Sequence, residues 1–220
     1  VLVLVVAAEL VEGGVDAKAL AMLGVLSAIN AVLRPLGAGT AGIETIFFLL
    51  ILGGRIHGPG FGFLLGSTSL FTSALLTGGV GPWLPFQMMA ASWVGLGAGL
   101  LPRARGRVEI VLLAGYGALA AYAYGFAMNL WFWPFALGTG TDLSYVAGAP
   151  LLDNLHRFVL FTLATSTWGW DTGRAVTNVV AISVVGPPVL TALRRAARKA
   201  SFGAVPGFSP PPGRPGSGHD

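Results

Sequence analysis

Apolar runs of about 14–25 residues follow one another along this chain, and its charges sit in the short polar breaks or at the ends of the runs. The pattern predicts helices that cross a bilayer, because a crossing takes about 20 apolar residues at 1.5 Å rise each. The first complete run, residues 19–33, stops at Arg34-Pro35, where proline is expected to end a helix. A glycine-rich break over 37–44 leads into a second run, 43–56, which is short for a crossing. Further runs cover 61–77, 82–101 and 108–135. Residues 136–155 are polar and glycine-rich, too long for a tight turn. An apolar piece with tryptophans near its end, 157–170, precedes the last run, 174–193.

Counting Lys and Arg tests this weave. With six crossings, Lys18, Arg55, Arg103, Arg105, Arg107, Arg194, Arg195, Arg198, Lys199 and Arg214 fall on one side, and Arg34, Arg157 and Arg174 on the other. Ten against three makes the first side, and the C-terminus, cytoplasmic. Removing the short 43–56 run would scramble that segregation, so it is expected to cross despite its length. The domain reading is a partial N-terminal helix and link over 1–16, a six-helix membrane domain over 17–200, and a disordered Pro/Gly-rich tail over 201–220.

Composition narrows the classes further. Only 10% of residues are charged and the mean hydropathy is +0.75, whereas a soluble domain carries about 25% charge. Zero cysteines exclude disulfides, thiolate metal sites and cysteine nucleophiles. The isoelectric point near 10.0 comes from basic residues in the breaks, not from a groove, and nucleic acid is not an expected partner. Glycine is heavy (33 residues) and recurs at four-residue spacing, as at Gly62/Gly66 and Gly95/Gly99, which lets helix backbones approach closely in lipid.

The runs G-P-G-F-G-F-L-L-G (58–66), T-G-G-V-G-P-W-L-P-F-Q-M (77–88) and W-V-G-L-G-A-G-L (93–100) resemble the substrate-binding S component of energy-coupling-factor (ECF) vitamin transporters. A-V-L-R-P (31–35) and S-T-W-G-W-D-T-G-R-A-V-T-N (166–178) extend the similarity to about 17–199. The resemblance implies an all-α, six-helix membrane protein that captures a vitamin or precursor on the outer side, cobalamin being the nearest kind, with riboflavin, queuosine-type precursors or another vitamin left open. It also implies docking on a transmembrane coupling subunit driven by an ATPase pair, in a prokaryotic plasma membrane. This chain has no G-x-x-x-x-G-K-[ST] loop of its own, so ATP hydrolysis would belong to those partners.

Candidate ligand residues lie toward the outer ends. Gly39 and Thr40 belong to the 37–44 loop, read as a mobile lid or as a plain connecting turn. Glu44 opens the short helix, where a carboxylate complements the helix dipole. Trp83 is either a ligand contact or an interfacial anchor, and Gln87, one turn deeper, must avoid lipid. Asn129 is expected to contact ligand or bond a neighbouring helix. Arg174 and Asn178 share a helix face at i, i+4, and Asp171 is placed to pair with Arg174. Asn30 faces outward with Arg34, and His156 stands near Asp153 in the outer vestibule or a solvated loop. Ala17, Ala21, Gly24 and Ala28 form a small-residue stripe, for internal packing or, by the resemblance, for docking the coupling subunit.

Two other classes remain. An intramembrane serine protease needs a nucleophile beside a base, yet no histidine lies on a run that reaches Ser67–Ser73. A self-contained secondary transporter or channel would show internal repeats and midplane ionisable residues, and neither is visible here. The chain is therefore read as a receptor without metal or cofactor, and not as an enzyme.

Overall fold

The computed structural model describes residues 17–37, 43–136 and 141–201. The expected half-helix at 1–16 and nearly all of the 201–220 tail lie outside them. The described residues are all-helical: α1 (Ala17–Gly37), α2 (Ile46–His57), α3 (Pro59–Thr77), α4 (Leu84–Leu100), α5 (Gly106–Ala136), α6 (Leu151–Thr162), a π-helical stretch (Leu163–Asp171), α7 (Thr172–Val184) and α8 (Gly186–Ser201).

Short α2 forms the centre. Ile46, Phe47, Leu49, Leu50, Ile51 and Leu52 are all buried, so apolar residues cover every face of the helix. Such a helix belongs inside a protein, and α1, α3, α4, α5, α7 and α8 all touch it. Its 12 residues rise about 18 Å, well under the bilayer core of about 30 Å. Surrounded by protein, α2 need not match the lipid thickness.

Around it, α3 and α4 make the most extensive helix pair. Gly54, Gly62 and Gly95 bring α2, α3 and α4 together: a Cβ on Gly62 or Gly54 would strike the Gly95 carbonyl, and one on Gly95 the Gly62 carbonyl. The four-residue glycine spacing thus does what its chemistry allows. Gly58, at φ 96°, makes the turn between α2 and α3, and Gly78, at φ 66°, closes α3 in the left-handed region that suits glycine.

Three boundaries differ from the sequence reading. Helix α1 runs through Pro35 to Gly37, because proline's fixed φ is helical and in a last turn it removes only one bond. Residues 157–170 and 174–184 are not separate pieces: α6, the π-helical stretch and α7 are one continuous helical unit, since nothing between them breaks a helix. The last run does not continue straight to 193. At Gly186-Pro187-Pro188 the chain turns by 65°, and α8 leaves at that angle.

Among the described residues, three helices are long and apolar enough to cross a membrane: α1, α3 and α5. The bent unit from α6 to α8 makes four if counted as one span. The expected six crossings are not reached by length and composition alone, because α2 has 12 residues and α4 has 17. Outward faces carry Val25, Val32, Leu75, Trp93, Val111, Leu119 and Val180, all exposed. This is the surface of a multi-pass membrane protein, with lipid in place of water.

Candidate functional site

Charges are sorted along the axis of α2. Glu44 lies two residues before its first turn and Arg55 in its last, so their partners occupy opposite ends of the bundle. At the Arg55 end, Glu109 of α5 is 2% exposed and accepts from both Arg55 (2.9 Å) and Arg194 of α8 (2.6 Å). Three further carbonyls, Leu101, Pro102 and Ala104, take three of the four remaining Arg55 N–H groups. Arg55 and Arg194, which the charge count placed on one side, meet at one end.

The Glu44 end holds the candidate ligand residues. Arg174 of α7 donates to Glu44 (2.5 Å) and to Asp171 (2.8 Å), the pairing its i, i+3 spacing allows. Its guanidinium also stands over the ring of Tyr124 at 4.9 Å and that of Phe47 at 5.6 Å. Such stacking suits the flat, weakly hydrated guanidinium. The second Asp171 oxygen accepts from Ser166 (2.8 Å), whose hydroxyl in turn accepts from Asn129 of α5 (2.7 Å). Glu44, Arg174, Asp171, Ser166 and Asn129 thus form one hydrogen-bonded chain, charge-assisted except at its Asn129–Ser166 link, that joins the segment before α2 to α7, the π-helical stretch and α5. Asp171 is 2% exposed while Glu44 is 22% exposed, so Glu44 is the more accessible of the two carboxylates.

The π-helical stretch positions this chain. Its wider turn shifts the helical phase, and it contributes both Ser166 and Asp171 to the site. Thr167 donates to the Thr162 carbonyl and Thr172 to that of Thr167, each five residues back, the spacing of a π-helical turn. Gly125 of α5 lies against the Asp171 carboxylate, where any Cβ would collide with it.

A second polar row lies between α1, α3 and α4. Asn30 donates to Ser69 (3.1 Å), and Arg34 donates to Ser73 (3.4 Å) and to Gln87 (3.3 Å). Gln87 therefore avoids lipid by facing a neighbouring arginine. Asn178 lies deeper on α7 and donates to the Gly117 carbonyl (2.9 Å). The side-chain oxygens of Asn30 and Asn178 are buried and lack a partner among the described residues, leaving two acceptors for a donor to satisfy.

Other candidates stand apart. Trp83 is exposed, with its ring folded back on Gly81, and His156 is exposed on α6, not in a loop. Gly39 and Thr40 lie outside the described residues. Ala21, Gly24 and Ala28 are exposed, and a Cβ on Gly24 would meet nothing within 4 Å, so these positions do not pack internally. Ala17 is the first residue of α1.

Sequence reasoning missed Ser166, Tyr124, Phe47 and the Arg34–Gln87 contact. Serine and aromatic residues abound in any membrane helix, so only their placement singles these out. Asn154 was also missed: it exchanges two hydrogen bonds with Val146 and pins the long connection onto α6.

A family model for the substrate-specific component of ECF transporters matches residues 18–180, well over half of the 220-residue chain. The chain belongs to that family. No curated protein and no solved structure gives a match. As an S component, the molecule is the substrate-specific part of an importer, and its matched region contains every residue of both polar rows.

Proposed function

We propose that this S component captures a vitamin or related micronutrient, cobalamin among the candidates, at the Glu44 end of the bundle. Six crossings expose that end to the outside, and Gly39 and Thr40, shortly before Glu44 in the sequence, are further candidate contacts. The observation that carries the reading is the Glu44–Arg174–Asp171 assembly, in a chain whose family is defined by substrate specificity. The buried Arg174, fixed over Tyr124 and between two carboxylates, holds the more exposed Glu44 as a charged edge for a polar solute. Asn30, Asn129, Asn178, Gln87, Trp83 and His156 remain candidate contacts. Ala17, Ala21, Gly24 and Ala28 would seat the transmembrane coupling subunit, whose ATPase pair powers release in a prokaryotic plasma membrane. Small residues exposed along α1 suit such close helix contact.

Native mass spectrometry of the detergent-purified chain against a vitamin panel tests the capture. One vitamin is expected to travel with the protein, and Glu44→Gln is expected to weaken its Kd roughly tenfold or more through loss of a charged hydrogen bond. A panel with no binder refutes the receptor reading. Unchanged affinity in Glu44→Gln removes that residue from the site.

Topology is tested separately, because the chain has no cysteine. Single substitutions Ile43→Cys and Arg105→Cys are expected to react with an impermeant maleimide from opposite sides of the membrane. Labelling of both from one side overturns the six-crossing arrangement.

A further inference from the structure

Two open cavities meet at the Glu109 end of the bundle. The larger, about 1290 Å³, is lined by Arg55, Arg103, Arg105, Arg194 and Arg198 around a single carboxylate, Glu109. The smaller, about 570 Å³, shares Glu109 and Arg194 and runs on between α5 and the α7–α8 bend, along Ile110, Val111, Pro187 and Leu190. One wall is therefore cationic and the continuation apolar.

Glu109 is already committed to Arg55 and Arg194, one oxygen to each. Among the described lining residues, Glu109 is shared by Arg55 and Arg194, which leaves Arg103 and Arg105 beside the cavity without a carboxylate from this lining. Arg103 and Arg105 are exposed in the segment leading to α5, and neither bonds another described side chain. Like charges gathered at a low-dielectric boundary repel one another, and an anion relieves that repulsion. Guanidinium groups match phosphate oxygens with paired N–H donors. The apolar groove beside them opens toward the lipid-facing side of α5, where Val108 and Val111 are 69% and 71% exposed.

We propose that this end binds one anionic phospholipid from its own leaflet. The phosphate would sit among Arg103, Arg105 and Arg194, and an acyl chain would lie in the groove along Ile110 and Leu190. The cationic cavity accounts for the head group, and its apolar continuation distinguishes a lipid from a free anion. The inference stands on the membrane setting and this end's geometry, independently of which solute the opposite end takes.

The test uses the full chain in detergent, supplemented with equal phosphatidylglycerol and phosphatidylcholine, and reads lipid adducts by native mass spectrometry and Tm by intrinsic fluorescence. Phosphatidylglycerol is expected to be retained in preference and to raise the Tm. Arg103→Gln/Arg105→Gln is expected to weaken that retention roughly thirtyfold, from two arginines near an anionic head group. Arg195→Gln, on α8 but outside the cavity lining, is expected to keep the preference. Equal retention of both lipids overturns the proposal, as does an equal loss in Arg195→Gln, which would mean diffuse charge. Inorganic phosphate raising the Tm as much as phosphatidylglycerol would reassign the cavity to a free anion and overturn the lipid.

Discussion

Gly95→Val is expected to yield no monodisperse folded protein in detergent, and Gly62→Val to behave alike. At both positions the new Cβ meets the backbone of the facing helix, Gly62 in one case and Gly95 in the other. A flexible side chain can swing aside, but a peptide group moves only with its whole helix. Here two helices would have to part, and α2 would follow, because Gly54 also rests on the Gly95 carbonyl. Inserting bulk into a packed core costs about 1–3 kcal/mol where neighbours can adjust. At this junction they cannot, so the loss is expected to reach or exceed the top of that range. Gly115→Ala is the control: nothing lies within 4 Å of its Cβ position on α5, and alanine is the better helix former by about 1 kcal/mol. Size-exclusion profiles and Tm of the three variants decide the matter. A normal profile with unchanged Tm for Gly95→Val would show that α3 and α4 are not in contact through these glycines.

Arg174→Met is the second large effect. The substitution keeps an unbranched apolar stem but removes the guanidinium that lies over Phe47 and Tyr124 and between Asp171 and Glu44. Asp171 is then a buried carboxylate held only by Ser166. Breaking a buried pair from one side costs about 3–5 kcal/mol, because the remaining charge stays desolvated. Glu44→Gln is expected to cost no more than about 1 kcal/mol, since Glu44 is partly exposed and Arg174 keeps Asp171. Thermal unfolding in detergent measures both. Equal, small losses in the two variants would mean that the network is solvated. The same pair also separates stability from recognition: Glu44→Gln should lose more in solute affinity than in Tm.

Local spacing carried part of the site. Asp171 and Arg174 are three residues apart, and a helix brings them together whatever the rest of the chain does. The glycine pairs at four-residue intervals were legible for the same reason. Contacts between helices were not. Glu44 reaches Arg174 across 130 positions, Arg34 reaches Gln87 across 53, and Asn129 reaches Ser166 across 37. Each depends on how far a helix is rotated and at what depth it sits, and a hydrophobic run leaves both open. The Pro35 boundary misled because proline is helix-compatible in its own φ and breaks only one bond. The merging of 157–170 with 174–184 was hidden by tryptophan and glycine residues that mimic a break, while the π-helical stretch carries the helix through them.

The membrane setting and the axial sorting of charge were determined by the sequence alone. Both are sums over residues, of transfer free energy and of charge beside each apolar run, and need no knowledge of which helix touches which. Tertiary structure alone decided that α2 is the enclosed centre, that Glu44 closes on Arg174, and that Glu109 ties Arg55 to Arg194. Backbones meeting at glycines set the rotation and depth of α2, α3 and α4, and the packing of the other helices around α2 brings the buried charges to their partners.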